Sequence, residues 1–221
     1  MKAFLSVLAV PFLLAATASA DWVIESNIES AQINSNTTMK VKGDKFRMDI
    51  ANGPAGAMST ILDTAGGGAI QMMHAQKMAM KLSAAQLKQS LDAASQKAGT
   101  GGGTAPKATG QKEKIGDYDC EIYTWANGPT SARLWVAKDH PQAAALKEVE
   151  KKMRASFPGA AQGGPDTSAL PGAAIKTEIT TGAQKMTTTI LSVKEQPVDA
   201  KEFELPADYQ VISMPSLPAG N

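Results

Sequence analysis

Soft-donor side chains gather in one short stretch, MMHAQKMAM, which carries Met72, Met73, His74, Met78 and Met80. Thioether and imidazole ligands together suit Cu(I). Spacing decides which of them can meet. A tight turn around Ala75-Gln76 makes the stretch a β-hairpin, and successive side chains on a strand point to opposite faces. Met73 then lies opposite Met78, so Met73, Met78 and Met80 share one face while Met72 and His74 take the other. Three thioethers could hold Cu(I) without the histidine. A register shifted by one residue would instead gather Met72, His74, Met78 and Met80. Methionine is also an ordinary filler of irregular apolar gaps, so a metal is the minor expectation and no cofactor is expected.

Catalytic signatures are sparse. The chain has two histidines, His74 and His140, and one cysteine, Cys120. A thiol nucleophile would need Cys120 beside a histidine. Cys120 shares a strand face with Tyr118 and Ile122, which reads as a small buried hydrophobe. His140 precedes Pro141 and reads as a loop residue. No nucleophile elbow, phosphate loop or two-histidine metal motif is present, and the expectation is a protein that is not an enzyme. A lone cysteine also excludes an internal disulfide and a zinc site built of several cysteines.

The clearest element is Thr37 to Ile50, TTMKVKGDKFRMDI, a β-hairpin turned at Gly43-Asp44. Such a loop wants positive φ, which Gly allows and Asp tolerates. That turn pairs Lys42 with Lys45, Val41 with Phe46, Met39 with Met48 and Thr37 with Ile50. The apolar set lands on one face, and Lys40, Lys42, Lys45 and Arg47 on the other. The basic face is expected to be solvated, with lipid headgroups or an acidic partner as the minor reading. A second hairpin, Ala174 to Lys194, turns at Gly182-Ala183 and pairs Ile179 with Met186 and Ile175 with Ile190. The candidate apolar ligand surface is therefore Met39, Val41, Phe46, Met48, Ile50, Ile175, Ile179, Met186 and Ile190. These residues either pack against helices or wall a pocket for an apolar ligand. An acyl chain is the natural occupant, because each buried CH₂ contributes about 0.8 kcal/mol.

The remaining pattern positions these faces. Residues 22–33 read as a first strand, 58–64 and 70–82 as further strands. Ser83 with Gln86 makes a capping box for a helix over 83–98. Strands resume near Lys112 and run over Tyr118–Trp125 and Ser131–Ala137. A second helix spans roughly 141–155, with Leu146, Val149 and Met153 as an apolar stripe. GTGGGTAPKATG (99–110) and PGAAQGGPDTSALPG (158–172) read as flexible insertions. Residues 215–221 read as a frayed tail. The expected fold class is α+β, mostly β: a single strongly curled antiparallel sheet, an open half-barrel, with two helices packed on its concave side.

Residues 1–20 have the three parts of a signal peptide: Lys2, an apolar run, and Ala18-Ser19-Ala20 as a cleavage site. Cleavage after Ala20 leaves one domain over 21–214, expected in the periplasm or otherwise exported, and soluble. The chain carries 22 Lys+Arg and 21 Asp+Glu. Removing Lys2 leaves the two signs balanced, which argues against a nucleic-acid partner. No later apolar run is long enough to span a bilayer.

Three segments carry a family resemblance: the hairpin MKVKGDKFRMDI, the strands STILDT and AIQMMHAQKMAMKL leading into helix 83–98, and the ending FELPADY. Together they resemble the bacterial lipoprotein-carrier (LolA-like) type, an open half-barrel with helices against its concave side. IGDYDCEIYTW followed by SARLWVA resembles the exported bacterial domain-of-unknown-function family numbered forty-four twelve. The resemblance implies an exported half-barrel and an apolar concavity, and carries no catalytic residue over. The functional expectation is a non-catalytic protein binding a lipid or an acylated protein on its concave face. The alternative is an envelope structural or interaction protein with a closed core; Cu(I) on methionines is a minor third reading.

Overall fold

Gly43 adopts φ 57°, and from that turn the hairpin pairs in the expected register, Lys42 with Lys45 through to Thr37 with Ile50. The computed structural model describes residues 20–53, 56–66, 68–98, 104–156 and 164–213. The signal-peptide reading of 1–20 falls outside the described residues apart from Ala20. The same holds for 99–103 and 158–163 of the two insertions, and for the tail 215–221.

The described residues form twelve strands in a single sheet. Six hairpin-connected strands come first: β1 (Trp22–Ser30), β2 (Asn34–Lys42), β3 (Lys45–Gly53), β4 (Gly56–Asp63), β5 (Gly68–Met73) and β6 (Met78–Leu82). Helix α1 (Ala84–Ala98) follows, capped as expected: Gln86 N–H donates to Ser83 Oγ and Ser83 N–H to Gln86 Oε1. Then come β7 (Lys107–Ile115), β8 (Tyr118–Asn127), β9 (Thr130–Ala137), α2 (Ala143–Ser156), β10 (Ala173–Thr181) and β11 (Gln184–Glu195). A 3-10 turn (Ala200–Phe203) precedes β12 (Gln210–Ser213). The spatial order is β12-β6-β5-β4-β3-β2-β1-β11-β10-β9-β8-β7, so the sheet is open, with β12 and β7 at its edges. Two meanders are joined where β1 pairs antiparallel with β11. Only β12, lying parallel to β6, departs from antiparallel pairing.

Three expectations change. The strand read over 22–33 stops at Ser30, whose hydroxyl accepts from the Gln32 and Ile33 N–H groups and turns the chain into β2. Part of the insertion read over 99–110 belongs to β7, which begins at Lys107. Its side chains are exposed up to Lys114, so there was no apolar alternation to see, and its register shifts between Ala108 and Lys112. The sequence pattern predicts no strand after Leu205, yet Gln210–Ser213 adds β12.

Both faces of the sheet are covered near its middle. On β1 the neighbours Val23 and Ile24 point to opposite faces and both are buried. On Ile24's side, Val41 and Phe46 are sealed by Val149 of α2, with Leu146 and Met153 beside them. Ala143 and Leu146 also reach Cys120, Ile122, Trp135, Ala173 and Ile175 of the second meander. On Val23's side, Ile61, Met72 and Ala79 pack with Val198 and Phe203, and Leu205 and Tyr209 close the margin. Val198 to Tyr209 thus cover the second core. Helix α1 rests against β5 and β6.

Candidate functional site

Between α2 and the sheet lies a cavity of about 450 Å³. Ile24, Met39 and Ile190 form its sheet wall; Leu146, Val149 and Met153 form its helix wall. Leu170, Ala173 and Ala174 close one end. Gly172 is required there, because a Cβ would stand 2.1 Å from the Ala137 carbonyl oxygen. The polar lining is Lys147, Glu150, Arg154 and Thr167, with Ser26 and Thr188 on the sheet. These charges clamp the chain between Pro165 and Leu170 to the helix. Lys147 Nζ donates to Leu170 O at 2.5 Å, Arg154 Nε donates to Glu150 Oε1 at 2.9 Å, and the guanidinium also donates to Pro165 O. Thr167 Oγ1 donates to the same Glu150 oxygen. The result is a mainly apolar chamber with a few polar groups, the usual make-up of small-ligand sites.

Of the candidate ligand residues, Met39 and Ile190 line this chamber, and Val41 and Phe46 lie beneath Val149, each 3% exposed. Val41 also borders a smaller cavity of about 340 Å³ beside the start of α2. Met48 and Ile50 continue the same face along β3, half-buried. Ile175 is buried with Cys120 and Trp135, Ile179 packs near Leu134, and Met186 is exposed. The helix stripe Leu146, Val149 and Met153 was visible as a pattern but not as a cavity wall. Ile24 lies within the predicted first strand, spaced two residues from Trp22; its place in the wall follows from β1–β2–β11 pairing, which no local pattern encodes.

The basic face is not the solvated surface expected. Lys40 Nζ lies 3.0 Å from Glu202 and 3.8 Å from Asp49; Arg47 donates to Asp49 and to the Glu202 carbonyl, each at 2.7 Å. Lys42 pairs with Asp21 at 2.6 Å. Lys45 is exposed. The 3-10 turn sits on this face and shares Lys40 and Arg47 with Asp49, while Asp21 takes Lys42.

A chain of hydrogen bonds continues from there. Ser59, 1% exposed, donates to Asp49 Oδ1 at 2.5 Å. Its only proton is then spent, so His74 Nε2, 2.6 Å away, must carry hydrogen and donate to Ser59 Oγ. His74 Nδ1 is left to accept from the Tyr209 hydroxyl at 2.5 Å. The residues come from β3, β4, the β5–β6 turn and the C-terminal segment, a grouping that sequence spacing does not disclose. The Ser–His contact is not a nucleophile pair, because Ser59 is buried and its proton faces a carboxylate. Cys120 is 1% exposed, and burial pushes its thiol pKa up. His140, whose pKa burial lowers, stacks beside Tyr118 at the start of α2.

The methionines follow the tight-turn register: Met73 faces Met78, and Met80 faces Gln71. Met72 faces Ala79 on the opposite side. The shifted register that would have joined Met72 and His74 to Met78 and Met80 does not form.

The profile of the family described as Domain of unknown function (DUF4412) matches residues 23–209. The chain belongs to the DUF4412 family. No curated protein matches it. Among solved structures, this DUF4412 chain is similar to PNGF-II at 10% identity and TM-score 0.42, over 89% of this chain and 31% of that one. It thus spans about a third of PNGF-II. The lipoprotein LppX of Mycobacterium tuberculosis shares 10% identity at TM-score 0.45, over 81% and 88% of the two chains. A DUF1329 family protein from Desulfovibrio piger shares 8% identity at TM-score 0.39, over 85% and 91%. No described helix is long and apolar enough to cross a membrane.

Proposed function

We propose that this protein is a non-catalytic, exported carrier that holds the apolar part of a lipid, or of an acylated protein, in the chamber beneath α2. The observation that carries the reading is the chamber itself: about 450 Å³, walled by aliphatic and methionine side chains, with its charged side chains bonded to one another or to the segment 165–170. Leu146 packs with residues of both meanders, which supports a sheet curled around α2 as a half-barrel with the helix on its concave side. About ten buried CH₂ groups would contribute about 8 kcal/mol. Before ordering costs, that corresponds to a micromolar dissociation constant. Met39 and Met153 suit such a ligand because flexible thioethers adapt to a chain that is not rigid.

The test is native mass spectrometry of protein purified from the cell envelope, together with titration of a fluorescent fatty-acid probe. Ile190→Trp and Met39→Trp fill the chamber and are expected to weaken the probe ten-fold or more without unfolding the protein. A protein that always flies at its bare mass and leaves the probe unbound overturns the reading. That outcome would favour a closed-core envelope protein, for which the seal of Val149 over Val41 and Phe46 is the supporting observation.

A further inference from the structure

We propose that Met58, Met73, Met78 and Met80 form a thioether site for Cu(I), separate from the chamber beneath α2. Three of them make one cross-strand row: Met58 on β4 faces Met73 on β5, and Met73 faces Met78 on β6. Directly opposed residues have Cβ atoms about 4.5–5.5 Å apart, and diagonal ones about 7–8 Å. Met80, two residues beyond Met78, is diagonal to Met73 on the same face. Met73 is therefore the hub, with a methionine on either side and a third across the diagonal; Met58 Sδ rests beside Gly53 on β3 and turns toward Met73 to join the site. Long unbranched arms can turn three or four sulfurs toward one ion above it.

Burial separates these residues from ordinary core filling. Met72, one residue away, points to the opposite face and is 1% exposed within the core of Ile61, Ala79 and Phe203. Met58, Met73, Met78 and Met80 are each half-buried, so solvent reaches them. Residue type also changes along the face. The row passing under α2 runs Val41, Phe46, Leu62 and Ala69, whereas the row farthest from it runs Ile50, Met58, Met73 and Met78.

The donor set decides the ion. Among the described residues no group of three or more His, Cys, Asp or Glu could hold a metal. His74 is engaged with Ser59 and Tyr209 on the other face. A site of neutral thioethers alone suits a soft monovalent cation, and offers nothing to Mg²⁺, Ca²⁺ or Zn²⁺. The sequence pattern reached Met73, Met78 and Met80; Met58 joins them only through the β4–β5 register.

Anaerobic titration with Cu(I) against a chromophoric Cu(I) chelator measures the affinity. Ag(I), a redox-inert stand-in, is titrated into protein carrying ¹³C-methyl methionine and followed by NMR. One equivalent is expected to move the methyl signals of Met58, Met73, Met78 and Met80 and to leave Met39, Met153 and Met186 in place. Met73→Leu, which nearly conserves volume, is expected to weaken Cu(I) by about ten-fold or more, the least that disturbing a metal site's surroundings costs. Met186→Leu should change nothing. Equal affinities for wild type and Met73→Leu, loss of all Cu(I) to the chelator, or methyl shifts as large at Met186 would each overturn the proposal. If Met73→Leu does not fold, the wild-type methyl map decides. Fatty-acid probe binding should be unaffected by Met73→Leu, so this site and the chamber fail or stand separately.

Discussion

Phe203 tests whether the C-terminal segment is a structural cover. It is 5% exposed and packs with Val23, Ile61, Met72, Ala79 and Val198. Truncating a buried phenylalanine to alanine costs about 3–5 kcal/mol, the lost transfer energy plus the cavity left behind. Typical domains have only about 5–15 kcal/mol in total. In a chain of this size each kcal/mol moves the melting temperature by about 2–4 °C. Phe203→Ala should therefore lower it by about 6–20 °C in a calorimetric melt. The polar contacts of the segment should loosen with it: Glu202 on Lys40 and Arg47, and Tyr209 on His74. Hydrogen exchange of the Arg47 and Ser59 region should rise in parallel. Leu191→Ala is the control, since Leu191 is 57% exposed and should shift stability by no more than about 0.5 kcal/mol. A Phe203→Ala melt within about 2 °C of wild type would mean that the segment does not seal this core, and the account of the second face would fall.

Other predictions follow from single contacts. Trp125 Nε1 is buried with no hydrogen-bond partner among the described residues, whereas Trp135 Nε1 donates to Glu113 at 2.7 Å. Urea unfolding should therefore show Trp125→Phe losing less stability than Trp135→Phe. Tyr209→Phe leaves His74 Nδ1 without its donor and should cost about 1–3 kcal/mol by the same measurement. For Asp21, partial burial raises the carboxyl pKa, but the Lys42 ammonium and the Val198 N–H outweigh it and hold the pKa below the ordinary 3.8. A depressed folded pKa stabilises the protein above the ordinary aspartate value, and this is lost as pH falls through the folded one. Asp21→Asn should thus lower the melting temperature at neutral pH, with the gap to wild type closing in acid. Cys120 should react with a thiol reagent only as fast as the protein unfolds, because its thiol is buried and its pKa raised.

Legibility in the sequence followed how local the determinant was. The Thr37–Ile50 hairpin could be read because a Gly turn and a two-residue alternation demand the same register. The cap of α1 was legible because Ser83 and Gln86 satisfy each other three residues apart. The first half of β7, before Lys112, was hidden because an exposed edge strand has no apolar face to alternate. The C-terminal cover was hidden because Val198, Phe203, Leu205 and Tyr209 follow no helical or strand period; they are spaced to fit Ile61 and Met72, not one another. The partners of the basic hairpin face were hidden for the same reason, since Glu202 lies 155 residues from Arg47 in sequence. The chamber wall combines β1, β2 and β11, and only the β1–β11 pairing brings Ile190 to Ile24.

That pairing also has a kinetic consequence. β1 is the first of these strands to be synthesised, yet one of its two ladders, Trp22 against Glu195 through Ser30 against Met186, is missing until the chain has reached β11. Contacts this distant in sequence slow folding, because loop closure must precede the stabilisation they bring. The first meander can form early as a six-stranded sheet, but β1 would then be its open edge, exposing Val23 and Ile24 and a row of unpaired backbone groups. Such an edge recruits other strands. The dangerous interval for this protein is therefore the time between completion of β6 and arrival of β11, and a chaperone that guards β1 during that interval should raise the yield of refolded protein more than one that acts on the finished sheet.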